Sequence, residues 1–103
     1  MIRVNVMYPK KDGVKFDYDY YLNSHVPMVQ EKVGGAMKRA EIYKGISGAG
    51  GAPEPYVTIA SLWFDSVQAF EQAFGPHASE IMGDIPNFTN VDPTVQIEEQ
   101  LLG

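Results

Sequence analysis

YVTIASLWF, residues 56–64, is the most β-like run in the chain, and the fold turns on how its two faces are read. Val57, Ile59, Ser61 and Trp63 alternate with Tyr56, Thr58, Ala60, Leu62 and Phe64, so a strand here is apolar on both sides. Such a strand needs cover on both faces: helices on one, and a second sheet on the other. Upstream lies the glycine-rich GISGAGGAPEP, residues 45–55, entered from the mixed stretch Met37 to Ile46, and the two β-forming runs around that loop predict a hairpin. Downstream, Asp65 with Gln68 three residues later resembles a capping box. Val67, Phe70 and Phe74 then form a helical apolar stripe that stops at Gly75.

The flanks complete the pattern. Ile2, Val4, Val6 and Tyr8 alternate with Arg3, Asn5 and Met7 until Pro9, which predicts a half-buried first strand. From Asp17, a suitable N-cap, Tyr18, Tyr21, Leu22, His25, Val29 and Val33 recur at helical spacing, with Gly34-Gly35 as the exit. Pro76 suits the start of a short helix through Met82, DIPNFTNVDP (84–93) reads as a loop of turn formers, and Val95 and Ile97 mark a last strand. The order strand, helix, strand, strand, helix, strand predicts an α+β fold, a ferredoxin-like βαββαβ sandwich with both helices on one face, as a single domain over residues 1–103. The bare sheet face is a liability for a monomer, so a homodimer through the sheet faces is expected.

Composition narrows the function. Thirteen acidic and eight basic residues leave a net charge of −5 without a basic stripe, so no nucleic-acid partner is expected. The absence of cysteine excludes disulfides, thiolate nucleophiles and cysteine-ligated metals, and two histidines without an i+4 partner make no metal set. No apolar run approaches the length of a membrane span, so no membrane association is expected and the cytoplasm is the expected location. The Gly45–Gly51 run leads from strand to strand with no following Lys-Ser or Lys-Thr, which argues against a phosphate cradle.

Within YYLNSHVPMV, residues 20–29, His25 sits on the inward face, and Pro27 must kink the helix or restart it. Two readings follow: a neutral histidine bonded to a carbonyl freed by the break, or a general base in a pocket. Tyr21, one turn earlier, is either an aromatic core residue or a second group on the same ligand. Tyr8, Leu22, Val29, Tyr43, Trp63 and His77 are the candidate pocket residues around this pair. Aromatics on strands are ordinarily core, and His77 after Pro76 fits an exposed helix start. Asp84 and Asn87 either close the pocket or make the turn of the DIPN loop, and turn chemistry favours the latter.

The strand IRVNVMYP, the Tyr-x-x-x-His-x-Pro spacing of Tyr21, His25 and Pro27, and the ending DIPNFTNVDPTVQI together resemble the EthD family, linked to ethyl tert-butyl ether degradation, across nearly the whole chain. The resemblance implies a dimeric α+β barrel with one small pocket per subunit between helices and sheet. It also implies oxidoreductase activity, yet the chain has no nucleotide or flavin fingerprint, so no cofactor is expected. Three functions fit. The first is a cofactor-free oxidoreductase, monooxygenase, cyclase or isomerase acting on a small hydrophobic carbonyl or phenolic compound, with His25 and Tyr21 catalytic. The others are a non-catalytic auxiliary protein that binds a hydrophobic ligand for a partner oxygenase, and a haem-binding protein.

Overall fold

A computed structural model describes all 103 residues. The alternating N-terminal run forms β1 (Ile2–Pro9), the mixed stretch yields β2 (Arg39–Lys44), the doubly apolar run is β3 (Tyr56–Phe64), and β4 is Thr94–Glu99. All pairings are antiparallel, in the order β2-β3-β1-β4. With the helices between β1 and β2 and between β3 and β4, this is the ferredoxin-like α+β sandwich expected from the pattern.

Register decides which residues meet the helices. Val4 opposes Leu62, Val6 opposes Ala60 and Tyr8 opposes Thr58, so the even-numbered side chains of β1 and β3 share the helix-covered face. Arg3 opposite Trp63, Asn5 opposite Ser61 and Met7 opposite Ile59 share the open face. That face is less apolar than the sequence implied. Met7, Ile59 and Tyr43 stand side by side, the row Asn5, Ser61 and Glu41 separates them from Trp63, and the guanidinium groups of Arg3 and Arg39, ion-paired with Glu98 and Glu41, lie 5.9 and 5.2 Å from the Trp63 ring.

The first helix, α1, spans residues 18–33 in three parts: an α-turn at Tyr18–Tyr20, a π-helical turn at Tyr21–His25 and an α-helix at Val26–Val33. Asp17 caps it as its spacing predicted, accepting the Tyr20 N–H at 3.1 Å, and Gly34 ends it at φ 66°, a conformation suited to glycine. Pro27 does not break the helix. The chain absorbs it by widening the preceding turn, where the Val26 N–H reaches back to the Tyr21 carbonyl, so Pro27 falls in the first turn of the restarted α-helix and removes no bond that turn needs. The second helical layer comprises α2 (Val67–Phe74), a 3₁₀ turn at Gly75–His77 and α3 (Ala78–Gly83). Its N-cap is Ser66, whose hydroxyl accepts the Ala69 N–H at 3.0 Å; this corrects the capping box expected from Asp65.

The β2–β3 hairpin closes through Gly45, where a Cβ would stand 2.2 Å from the Tyr56 carbonyl oxygen. No larger residue fits that approach. The core is divided in two. One cluster gathers Tyr8, Tyr21, Val57, Ile85, Phe88 and Val91, and the other gathers Val4, Val33, Phe64 and Ile81. No helix is long and apolar enough to cross a membrane.

Candidate functional site

A cavity of about 240 Å³ lies between the two core clusters, bounded by α1 above and by the helix-covered faces of β1, β2 and β3 below. Of its 21 lining residues 19 are apolar or aromatic; His25 and Gln30 are the exceptions. Gln30, Met82 and Val95 line it and are exposed, so the cavity opens to solvent. The polar atoms facing this space therefore come from very few side chains.

His25 is one of them, buried to 5% exposure at the end of the π-turn. Its ring stacks on Tyr21 at 5.6 Å and an interplanar angle of 16°, and it contacts Phe88 at 4.5 Å. The partner of Nδ1 is not a carbonyl freed by Pro27 but the carboxylate of Asp84, with Oδ2 at 2.9 Å. A carboxylate only accepts, so Nδ1 carries the hydrogen and Nε2 is left without a partner in the chain.

Asp84 is held from the other side. Its Oδ1 accepts from the Tyr20 hydroxyl at 2.7 Å and from Asn87 Nδ2 at 2.9 Å. Partial burial works against its ionisation, but the hydrogen bonds from Tyr20, Asn87 and His25 outweigh that and hold the carboxyl below its ordinary range. A depressed pKa stabilises the fold above the unfolded-state value, and that stabilisation is lost as pH falls through the folded-state value. The stability advantage of the wild type over Asp84→Asn is therefore expected to be constant at neutral pH and to vanish as pH falls below 3.8, the value of a free carboxyl. Denaturant titrations of both proteins between pH 4.5 and pH 2.5 read this directly; an advantage that is undiminished at pH 2.5 contradicts it.

The loop that carries Asp84 is built into the fold. A 3₁₀ turn at Ile85–Asn87 buries Ile85, and Phe88 and Thr89 follow it inward. The Asp17 N–H donates to the Phe88 carbonyl at 2.7 Å, Thr89 Oγ1 donates to the Lys15 carbonyl at 2.7 Å, and the Asn90 side chain bonds Lys15 N–H and the Gly13 carbonyl. This segment, in which the sequence favoured turn formation over pocket closure for Asp84 and Asn87, fixes Asp84 against the start of α1.

Besides the exposed Gln30, Tyr8 and Tyr21 supply the remaining polar side-chain atoms, each 2% exposed and both lining the cavity. Burial first, and then the neighbouring phenol, pushes the Tyr8 pKa far up. Burial likewise raises that of Tyr21. Both rings carry neutral, protonated hydroxyls at any working pH, so each is a hydrogen-bond donor. Val29 also lines the cavity.

Four expected pocket residues lie elsewhere. Leu22 is 49% exposed, because it is one helical step from Tyr21 and turns outward. Tyr43 is 54% exposed and Trp63 sits between Arg3 and Arg39, both on the open sheet face, since register pairs Tyr43 with Ile59 and Trp63 with Arg3 and Arg39 there. His77, in the 3₁₀ turn at Gly75–His77, does not reach the cavity. Asp84, in contrast, belongs to the site. Its one sequence signal is an aspartate three residues ahead of Asn87 in a turn, a pattern that also describes an ordinary turn. No group of three or more histidine, aspartate or glutamate side chains is arranged to hold a metal ion.

The model of the EthD domain matches residues 14–92, a span holding all of α1 and the Asp84 loop. An EthD-like protein from Ralstonia eutropha is 41% identical, with a TM-score of 0.91 over 98% of this chain and 92% of that one. An ethyl tert-butyl ether (EthD) family protein from Bacillus halodurans shares the fold at 15% identity, with a TM-score of 0.67 over 98% of this chain and 99% of that one. A protein from Arabidopsis thaliana does so at 15% identity and a TM-score of 0.69, covering 99% and 96%. No functionally curated protein matches the chain.

Proposed function

Since the chain belongs to the EthD family, we propose that it is a cofactor-independent enzyme for a small hydrophobic carbonyl or phenolic compound, with His25 as general base and Tyr21 as hydrogen-bond donor. The observation that carries this reading is the Asp84–His25 pair at the wall of an otherwise apolar cavity, beside two protonated phenols. Asp84 fixes the tautomer in which Nε2 is free to take a proton. The α C–H bond of a bound ketone breaks towards Nε2, its electron pair becomes the enolate, and Tyr21 donates to the enolate oxygen. A donor held in place in a largely apolar site stabilises that oxyanion more than freely reorienting water does. Return of the proton to a different carbon completes an isomerisation; attack of the carbanion on an internal carbonyl breaks its C=O π bond, and transfer of the proton from Nε2 to the resulting alkoxide completes a cyclisation. Oxygenation needs dioxygen as co-reactant. The reading is tested by offering the protein enolisable ketones and phenols with no added cofactor and following product by mass spectrometry. Conversion is expected; ligand that is bound and recovered unchanged throughout would favour the auxiliary-binding role instead.

The working unit in this proposal is a homodimer closed through the open sheet faces, with Ile59 at the middle of the apolar row on that face. Ile59 lies between Met7 on β1 and Tyr43 on β2 and packs against no helix, so a charge there leaves the fold of one chain in place. Light scattering is expected to give twice the 11.4 kDa chain mass for the wild type and a monomer for Ile59→Glu, because burying a carboxylate without a partner costs several kcal/mol. A wild-type monomer contradicts the dimer.

A further inference from the structure

The cavity has two chemically different ends. Tyr8, Tyr21 and His25 stand at the end formed by the first core cluster, whereas Val33, Phe64, Phe70, Phe74 and Ile81 at the other end bring no polar side-chain atom. No lysine, arginine, aspartate or glutamate lines the space. The basic side chains nearest the helical layer are engaged with carboxylates outside it, Lys32 with Glu80 at 3.0 Å and Lys38 with Asp65 at 3.9 Å. The charge His25 would carry on protonation is matched by the Asp84 carboxylate bonded to its ring. A ligand in this space therefore meets no uncompensated cation, and a carboxylate entering it would exchange its water for neutral donors alone, the hydroxyls of Tyr8 and Tyr21, which do not balance a full buried charge.

From these observations we infer that the cavity selects an uncharged amphipathic molecule, with one carbonyl or phenol head at His25 and Tyr21 and an apolar tail against Val33, Phe70 and Phe74, and rejects the same skeleton bearing a carboxylate. The inference rests on the proposed role of this cavity as the ligand site and adds the class of ligand. Each methylene of the tail exchanges water for side-chain carbon, which raises affinity about fourfold until the far wall is reached. Phenols and ketones keep one hydrogen bond at the polar end, and that bond fixes their direction in the cavity.

The test is calorimetric titration with 4-alkylphenols of increasing chain length and the matching 4-alkylbenzoates at pH 7.5. Phenol affinity is expected to rise about fourfold per methylene, with each benzoate at least about tenfold weaker than its phenol. Phe74→Ala, in a half-buried position, is expected to flatten the dependence on chain length while sparing the shortest phenol, and Met37→Ala serves the same purpose if the first variant does not fold. Benzoates that bind as well as phenols, or affinity independent of chain length, overturn the inference and leave the cavity a ligand site. Failure of both series to bind overturns the site itself. Selective phenol binding in a protein that converts none of its ligands sustains the inference and removes the enzymatic reading.

Discussion

Replacing His25 with alanine is expected to lower turnover by about 100- to 10,000-fold, the range that a positioned general base contributes, while the melting transition stays cooperative. The chemistry loses its proposed proton acceptor, since the phenols that share that end of the cavity are held protonated by burial. The fold survives because Asp84 keeps two of its three hydrogen bonds, those from Tyr20 and Asn87. Loss of one bond between imidazole and carboxylate costs about 1.5–3 kcal/mol, which a domain of ordinary stability tolerates. Steady-state rates and thermal melts of both proteins check this. Undiminished turnover in the alanine variant removes His25 from the chemistry.

Phe88→Ala is expected to have the largest effect on stability. The ring is 3% exposed and is the hub of the aromatic cluster: it meets Tyr8 at 5.8 Å, Phe16 at 5.3 Å, Tyr21 at 4.9 Å and His25 at 4.5 Å. Truncating a buried phenylalanine costs about 3–5 kcal/mol, and at this chain length that lowers Tm by more than about 12 °C. The void would open beside the His25 ring, so the variant should also lose activity at temperatures where it is still folded. A Tm within about 4 °C of the wild type would mean that the cluster relaxes around the missing ring.

These two residues mark where sequence reading succeeds and where it stops. His25 and Tyr21 are legible as an inward pair because they lie four positions apart and the surrounding apolar spacing gives the face. The strand order followed from runs whose period is unambiguous, above all Ile2 to Tyr8. Strand β3 was a harder case. Both of its parities are apolar, so the sequence alone does not say whether Trp63 or Leu62 meets the helices, and the assignment came from pairing with β1. Trp63 falls on the open face for that reason, and Tyr43 on β2 follows it there as the partner of Ile59. Asp84 and Phe88 were hidden by distance: Asp84 is 59 residues from His25 in the chain, and its turn-forming neighbours account for it locally without any tertiary partner. A turn can be both a turn and one wall of a site, and local propensity reports only the first.

Hydrogen–deuterium exchange in a bound ketone isolates proton abstraction from every later step. An uncharged ketone that binds the cavity, incubated with the protein in deuterium oxide, should gain deuterium at its α carbon at a catalysed rate by NMR, and His25→Ala should return that rate to the uncatalysed background. Equal exchange rates with the wild type and the alanine variant, for a ligand shown to occupy the cavity in both, would contradict the assignment of His25 as the base.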